Sequence, residues 1–192
     1  EHIEALRAGH LSASSVRSYL DCPVKLFYSK VEGLKAEKDV TESLDASMIG
    51  NVLHHTMEEL LPRGTRANAQ FLEALRRDKA RIRSMVDGYI CRELNTFEVT
   101  GRNLVFSSVL CSYVDAVLEA DIRQLPPGGS LYIHGVELGG GVQMGGFTFT
   151  GFIDRLDSLA PGQLRVVDYK TGRVEPEDLF FDPKKPDVPQ IG

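Results

Sequence analysis

Residues 151–172, GFIDRLDSLAPGQLRVVDYKTG, decide how the rest of the chain is read. Apolar and polar side chains alternate with period two on either side of Pro161-Gly162, which predicts two strands joined by a tight turn and paired antiparallel. In LRVVDYK this alternation sets Val166, Asp168 and Lys170 on one face and Val167 and Tyr169 on the other. In the preceding strand, FTFTGFIDRLD, Phe147, Phe149 and Ile153 share one face, while Thr148, Thr150, Phe152 and Asp154 share the other. The turn near Pro161 then places Asp154 roughly opposite Asp168. Two carboxylates so close repel each other unless a cation lies between them, either a metal ion or the Lys170 ammonium.

That pairing suits a particular chemistry. A hard divalent cation such as Mg2+ or Mn2+ takes oxygen ligands in octahedral geometry, and two carboxylates with an open outer side leave positions for water and phosphate. Such an ion polarises a phosphoryl group and activates water, and an adjacent ammonium stabilises the charge that develops. Lys170 has the position for this. A bare Asp-x-Lys is common on solvated strands, so the information lies in GFIDR facing DYKTG across one hairpin.

Away from the hairpin the chain changes character. Helix formers with helical apolar spacing dominate up to about residue 125, and after PPGG at 126–129 come Gly, β-branched and aromatic residues in alternation. Helices are predicted from Ser12, as N-cap, through Tyr19 and Leu20, and over LFYSKV with Pro23 in the first turn. A third runs from about Ala46 to Leu61, with Ile49, Leu53, Met57 and Leu60 as its apolar stripe. One long helix spans about Asn68 to Leu94, and another about Asn103 to Arg123. Further strands are predicted at LYIHGVEL and VQM. His54 lies beside the stripe of the third helix, and Gly50 sits one turn before it, where a missing side chain admits close approach to the sheet. The tail after Gly172, with Pro176, Pro183, Pro186 and Pro189, has no periodicity and predicts a loop.

Composition narrows the class. The 192 residues, 42% hydrophobic and 26% charged, suit one domain of an ordinary globular kind. We expect an α+β fold over 1–192, mainly helical over 1–125, a β-hairpin core at 130–172 and a tail at 173–192. No apolar run is long enough to span a bilayer and EHIEALRAGH lacks a signal-peptide core, so no membrane association and a cytoplasmic location are expected. The missing initiator Met and the abrupt end after Pro189-Gln190 suggest a piece of a longer chain. Cys22, Cys91 and Cys111 are odd in number and widely spaced, which predicts buried free thiols. A net charge of −5 gives no global attraction for a polyanion, so nucleic-acid binding would need a local patch or a metal ion.

GFIDRLD followed by LRVVDYKTG resembles the RecB-like branch of the PD-(D/E)xK nucleases, and two N-terminal segments extend the likeness. LSASSVRSYLDCPVKLFY is similar to that branch's opening helix, and GNVLHHTME to its GxxxH helix. The similarity covers nearly the whole chain and looks nearest to the nuclease domain of AddB-type helicase-nucleases and related bacterial exonucleases. It implies a restriction-endonuclease-like core with a mixed twisted sheet. It further implies that His54, Asp154 and Asp168 ligate a divalent metal, Mg2+ or Mn2+, that the Tyr169 carbonyl joins them, and that Lys170 is the catalytic lysine. A histidine ligand would weaken metal binding in acid.

The family pattern continues past DYKTG with a Gln and a Tyr-containing helix; Gln190 stands where that Gln would be. AddB-like members also carry an iron-sulfur cluster, for which Cys22 is at the matching first position; the three other ligands are not in these residues, so a [4Fe-4S] cluster is implied only for a longer parent. The resemblance implies DNA, with single- or double-stranded ends, as substrate, and a helicase subunit or domain as partner. The implied function is a divalent-metal-dependent DNA exonuclease of repair or recombination. The alternative is a catalytically silent module kept for DNA-end binding or for a helicase partner.

Other residues carry less. Glu137 approaches the site as an outer acid or merely faces solvent from its strand. Arg155, pointing away from Asp154 by alternation, forms a salt bridge or touches DNA. Arg76, Arg77, Lys79, Arg81 and Arg83 predict a solvated helix face, and the glycine-rich GGGVQMGG lacks the features of a phosphate loop.

Overall fold

Two glycine-bearing turns organise the sheet. Gly145 and Gly146 take φ of 60° and 79°, as a two-residue hairpin turn of the primed kind requires, and they join β3 (Ser130–Met144) to β4 (Phe147–Ala160). Pro161 and Gly162, the latter at φ 78°, link β4 to β5 (Gln163–Val167), a Pro-Gly arrangement that suits a type II turn. The two strands are antiparallel as expected, with Arg155 opposite Val167, Leu156 opposite Val166 and Asp157 opposite Arg165.

This computed structural model describes residues 2–34 and 42–174; the proline-rich tail and Gln190 lie outside the described residues. Two three-residue strands, too short to show a period, escape sequence reading. β1 (His10–Ser12) pairs parallel with β4, and β2 (Arg66–Asn68) pairs antiparallel with β3. The sheet order is β1-β4-β3-β2, with β5 also on β4, so the sheet is mixed. The segments LYIHGVEL and VQM, expected as separate strands, form the single strand β3, because Gly139–Gly141 continue its backbone instead of turning it.

Packing divides the chain into two compact units. One comprises, among the described residues, 42–138 and Ile153–Arg173. Its helices are α4 (Ala46–Leu60), α5 (Ala69–Arg77), α6 (Lys79–Leu94) and α7 (Asn103–Gln124). α4 begins where the Asp45 carboxylate accepts the Met48 N–H at 2.8 Å. Its stripe packs as expected: Leu53, Met57 and Leu60 are buried and Ile49 is partly so, with Val86, Ile90, Leu110, Val114, Leu131 and Ile133 in the same core. The long helix expected from Asn68 to Leu94 is two helices. Asp78 closes α5 with its N–H on the Ala74 and Leu75 carbonyls, and its side chain then caps α6 by accepting the Arg81 N–H at 3.1 Å. A short acid that can satisfy both helix ends favours a break over continuation.

The other unit comprises, among the described residues, 2–34, Gly139–Phe152 and Val174. It holds α1 (His2–Ala8), β1, α2 (Ala13–Asp21), α3 (Pro23–Leu26) and a π-helical turn over Phe27–Val31. Ser12 is the expected N-cap of α2: its hydroxyl accepts the Ser15 N–H at 3.2 Å, and Ser15 reciprocates. Pro23 occupies the first turn of α3. Cys22, expected as a buried thiol, is exposed at the junction of these helices, and in the first unit Cys91 and Cys111 are only partly buried. Among the described residues no helix is long and apolar enough to cross a membrane.

Candidate functional site

Three elements of the larger unit converge on His54. The helix α4 carries the imidazole, β4 brings Asp154 and β3 brings Glu137. His54 Nε2 is 3.5 Å from Asp154 Oδ2 and 3.2 Å from the Tyr169 carbonyl oxygen, while Nδ1 is 3.4 Å from Glu137 Oε1. Asp154 is 8% exposed, and its Oδ2 accepts the Tyr169 backbone N–H at 2.6 Å. Both peptide groups of Tyr169 therefore belong to the site.

Glu137 reaches it through a local irregularity. Leu131, Ile133 and Gly135 alternate regularly into the interior, but Glu137 takes φ 46°, a left-handed conformation uncommon for a side chain of its size. A Cβ on Gly135 would lie 2.5 Å from a Leu138 methyl, so the Leu138 side chain lies back over Gly135 there. The kink aims a carboxylate at His54. Sequence reading left Glu137 between an outer acid and a solvent-facing residue; the glycines at 135 and 139–141 were the available sign that regular alternation fails here.

Asp168 and Lys170 follow a different course. The ladder of β5 stops at Val167, and continuing its register by one residue would set Asp168 opposite Asp154. Alternation beyond the strand is as expected: Tyr169 is buried, whereas Asp168 and Lys170 are 55% and 63% exposed in their side chains. The Lys170 ammonium lies 2.8 Å from Asp168 Oδ2. Asp168 is not in the three-residue cluster that His54, Glu137 and Asp154 form. Both residues instead line a groove of about 480 Å3 with Tyr113, Val117, Gln124 and Val166. A Cβ at Gly50 would meet nothing within 4 Å, so the close approach to the sheet expected there is absent.

The donor set suits a divalent cation. One ligand atom from each of His54, Glu137 and Asp154 can be chosen so that all lie within 4.8 Å of one another. Octahedral bonds of roughly 2.1 Å put neighbouring ligand atoms about 3 Å apart, near the 3.2 and 3.5 Å that separate His54 Nε2 from the Tyr169 carbonyl and from Asp154. Two carboxylates and an imidazole with no lysine or arginine among them leave negative charge that a cation would balance.

Directly behind lies a second ionic cluster that sequence reading missed. Arg155 is 1% exposed and forks onto Asp121 of α7, Nη1 to Oδ2 at 2.8 Å and Nη2 to Oδ1 at 2.7 Å. Its Nε is 2.8 Å from Asp157 Oδ2, but the N–H is not aimed to make a hydrogen bond. Arg165 donates to both Asp157 oxygens at 2.8 and 2.9 Å and to Asp121 at 2.9 Å. Of the two roles open to Arg155, the salt bridge is the one formed. The guanidinium also lies 5.7 Å from the centroid of the Tyr169 ring. Burial, and then the nearby Asp121, Asp157 and Asp154, keep the Tyr169 hydroxyl well above its ordinary value despite Arg155, so it stays protonated in working solutions.

Of the basic residues expected on a solvated face, Arg77 and Arg81 are exposed, whereas Arg76, Lys79 and Arg83 reach α7. Arg76 donates to Asp115 at 3.1 and 3.2 Å, Lys79 pairs with the same carboxylate, and Arg83 donates to Ser107 and Ser108. They bind helices to one another.

Residues 10–191 match the model of the PD-(D/E)XK nuclease superfamily, whereas no curated protein matches the chain. The match includes α4, the β4–β5 hairpin and the segment after it, the parts that bring His54, Asp154 and Tyr169 together. Superfamily members are nucleases that use divalent metals, in keeping with the donor set around His54. With its mixed sheet and flanking helices in a restriction-endonuclease-like α+β arrangement, the chain belongs to the PD-(D/E)XK nuclease superfamily.

Proposed function

We propose that this chain is a Mg2+- or Mn2+-dependent deoxyribonuclease of the RecB-like branch, an exonuclease that shortens DNA from its ends in cytoplasmic repair or recombination. In this reading residues 1–192 work as one nuclease domain, and a helicase subunit or domain delivers the strand. The observation that carries it is the convergence of His54 Nε2, Asp154 and the Tyr169 carbonyl, with Glu137 across the imidazole.

His54, Asp154 and the Tyr169 carbonyl would hold the ion, with Asp168 joining them and Glu137 orienting the imidazole. When bound, the ion supplies Lewis acidity toward a phosphoryl oxygen and lowers the pKa of water. The residues do the rest. The Tyr169 N–H fixes one Asp154 oxygen and so fixes the direction of the other. Lys170, exposed at the rim and oriented by Asp168, meets the phosphate and stabilises the charge that builds on it. With a net charge of −5 on the chain, the hold on DNA is local and rests on such groups.

The test is digestion of end-labelled linear DNA beside a covalently closed circle, with Mn2+ or with chelator. Linear strands should shorten, the circle should persist, and chelator should stop the reaction. Asp168→Ala should abolish it; cleavage that survives this substitution overturns the reading. Nicking of the circle overturns its exonuclease part. DNA-end binding without cleavage, and without Mn2+ heat in calorimetry, would instead identify a silent end-binding or helicase-docking module.

A further inference from the structure

Tyr169 sits two residues beyond the last paired residue of β5, yet its backbone makes two of the closest contacts in the site. Its N–H holds Asp154 at 2.6 Å and its carbonyl lies 3.2 Å from His54 Nε2. The paired register of β5 ends at Val167, so beyond it the packing of the Tyr169 side chain adds to that backbone contact in fixing the segment. The ring is buried, edge-on to His54 at 5.8 Å between centroids, with the Arg155 guanidinium 5.7 Å from its centre. Arg155 in turn has little freedom: Asp121 takes both terminal nitrogens and Asp157 faces Nε. Because Asp154 and Arg155 are consecutive in β4, one strand carries both the site carboxylate and the group that grips the ring behind it.

We propose that Arg155 is a positioning residue of the metal site: locked by Asp121 and Asp157, it clamps the Tyr169 ring, and the Tyr169 peptide groups thereby set the Asp154 carboxylate and the His54 imidazole. This rests on the metal-dependent reading above. A salt bridge that only tied α7 to the sheet would leave Tyr169 and metal affinity unchanged when replaced by apolar side chains. A clamp would not. Groups that orient metal ligands from behind typically change affinity by about 10- to 100-fold when removed.

The deciding variant is Asp121→Leu with Arg155→Met, which removes one cation and one anion together and leaves Arg165 paired with Asp157. Calorimetric titration of the whole chain with Mn2+ should show a Kd raised by about 10- to 100-fold. Without metal, the Tyr169 amide should exchange with solvent at least about 10-fold faster, while Leu131 and Ile133 in β3 keep their protection. Arg155→Lys, which retains a cation but not the fork, should fall between. Should the double variant fail to fold, Tyr169→Leu decides instead, since it leaves all four ionic residues in place and should weaken Mn2+ binding to the same extent. A folded variant that binds Mn2+ within about two-fold of wild type overturns the clamp and leaves the site reading intact. Wild-type protein that binds no Mn2+ overturns the site reading, and the clamp with it.

Discussion

Asp154 and Arg155 are neighbours in one strand, yet they belong to ionic clusters built on opposite principles. Behind the sheet, Arg155 and Arg165 meet Asp121 and Asp157, two cations to two anions, with forked hydrogen bonds. Around His54, two carboxylates approach an imidazole with no lysine or arginine in the cluster. Burying charge is costly unless it is matched. A balanced cluster can therefore be buried whole and be purely structural, whereas the unbalanced one, with Asp154 buried but His54 and Glu137 partly open to solvent, has room for a cation from outside. The chemistry of this fold follows from which side of β4 has been left short of positive charge.

The comparison can be broken at several points. The greatest effect should come from Asp154→Ala: cleavage of linear DNA with saturating Mn2+ should fall on the order of 10³-fold in a stopped assay, because the anchor of the unbalanced cluster is gone. Next in size, Arg155→Met should destabilise the fold by roughly 3–5 kcal/mol, since Asp121 and Asp157 keep buried charge with one partner fewer. Urea denaturation would measure this, and the combined Asp121→Leu and Arg155→Met variant should recover much of the loss. Equal destabilisation by the single and double variants would show that balance is not what matters there.

Glu137→Gln tests the other cluster. It should weaken Mn2+ binding by about 10-fold in calorimetry while leaving the metal-free protein as stable as wild type or slightly more so, because one of two repelling carboxylates is removed. A clear loss of metal-free stability would mean that Glu137 serves structure. The smallest effect is expected outside both clusters, at Asp115→Asn. Hydrogen bonds from Arg76 and Lys79 hold the Asp115 carboxyl below its ordinary value, so its contribution is present above about pH 4 and fades as pH drops through its lowered folded value. Wild type should be slightly the more stable at neutral pH, and the two proteins should converge in acid. Solvent screening keeps the difference small, and a thermal melt at each pH would read it.

Much of this was legible beforehand, for identifiable reasons. The β4–β5 hairpin was visible because period-two alternation and Pro161-Gly162 agree, and α4 because Leu53, Met57 and Leu60 recur at helical spacing. The break at Asp78 was not, because the apolar pattern of Leu72, Leu75, Ile82 and Val86 continues through it; only the capping chemistry of one aspartate divides the helix. Glu137 was ambiguous because its direction depends on a left-handed residue inside a strand, which alternation cannot anticipate. Asp121 was hidden because its partners lie more than thirty residues away.

By itself the sequence determined the hairpin, the helical layer before it and the residue types that metal-assisted phosphodiester chemistry would use, because each of these follows from local periodicity, turn geometry and side-chain chemistry. Tertiary structure alone decided how those residues are grouped. It set Glu137 against His54, left Asp168 with Lys170 at the rim, and placed Arg155 against the Tyr169 ring. Such groupings depend on where separate elements meet in space, and local preferences along the chain do not encode those distances.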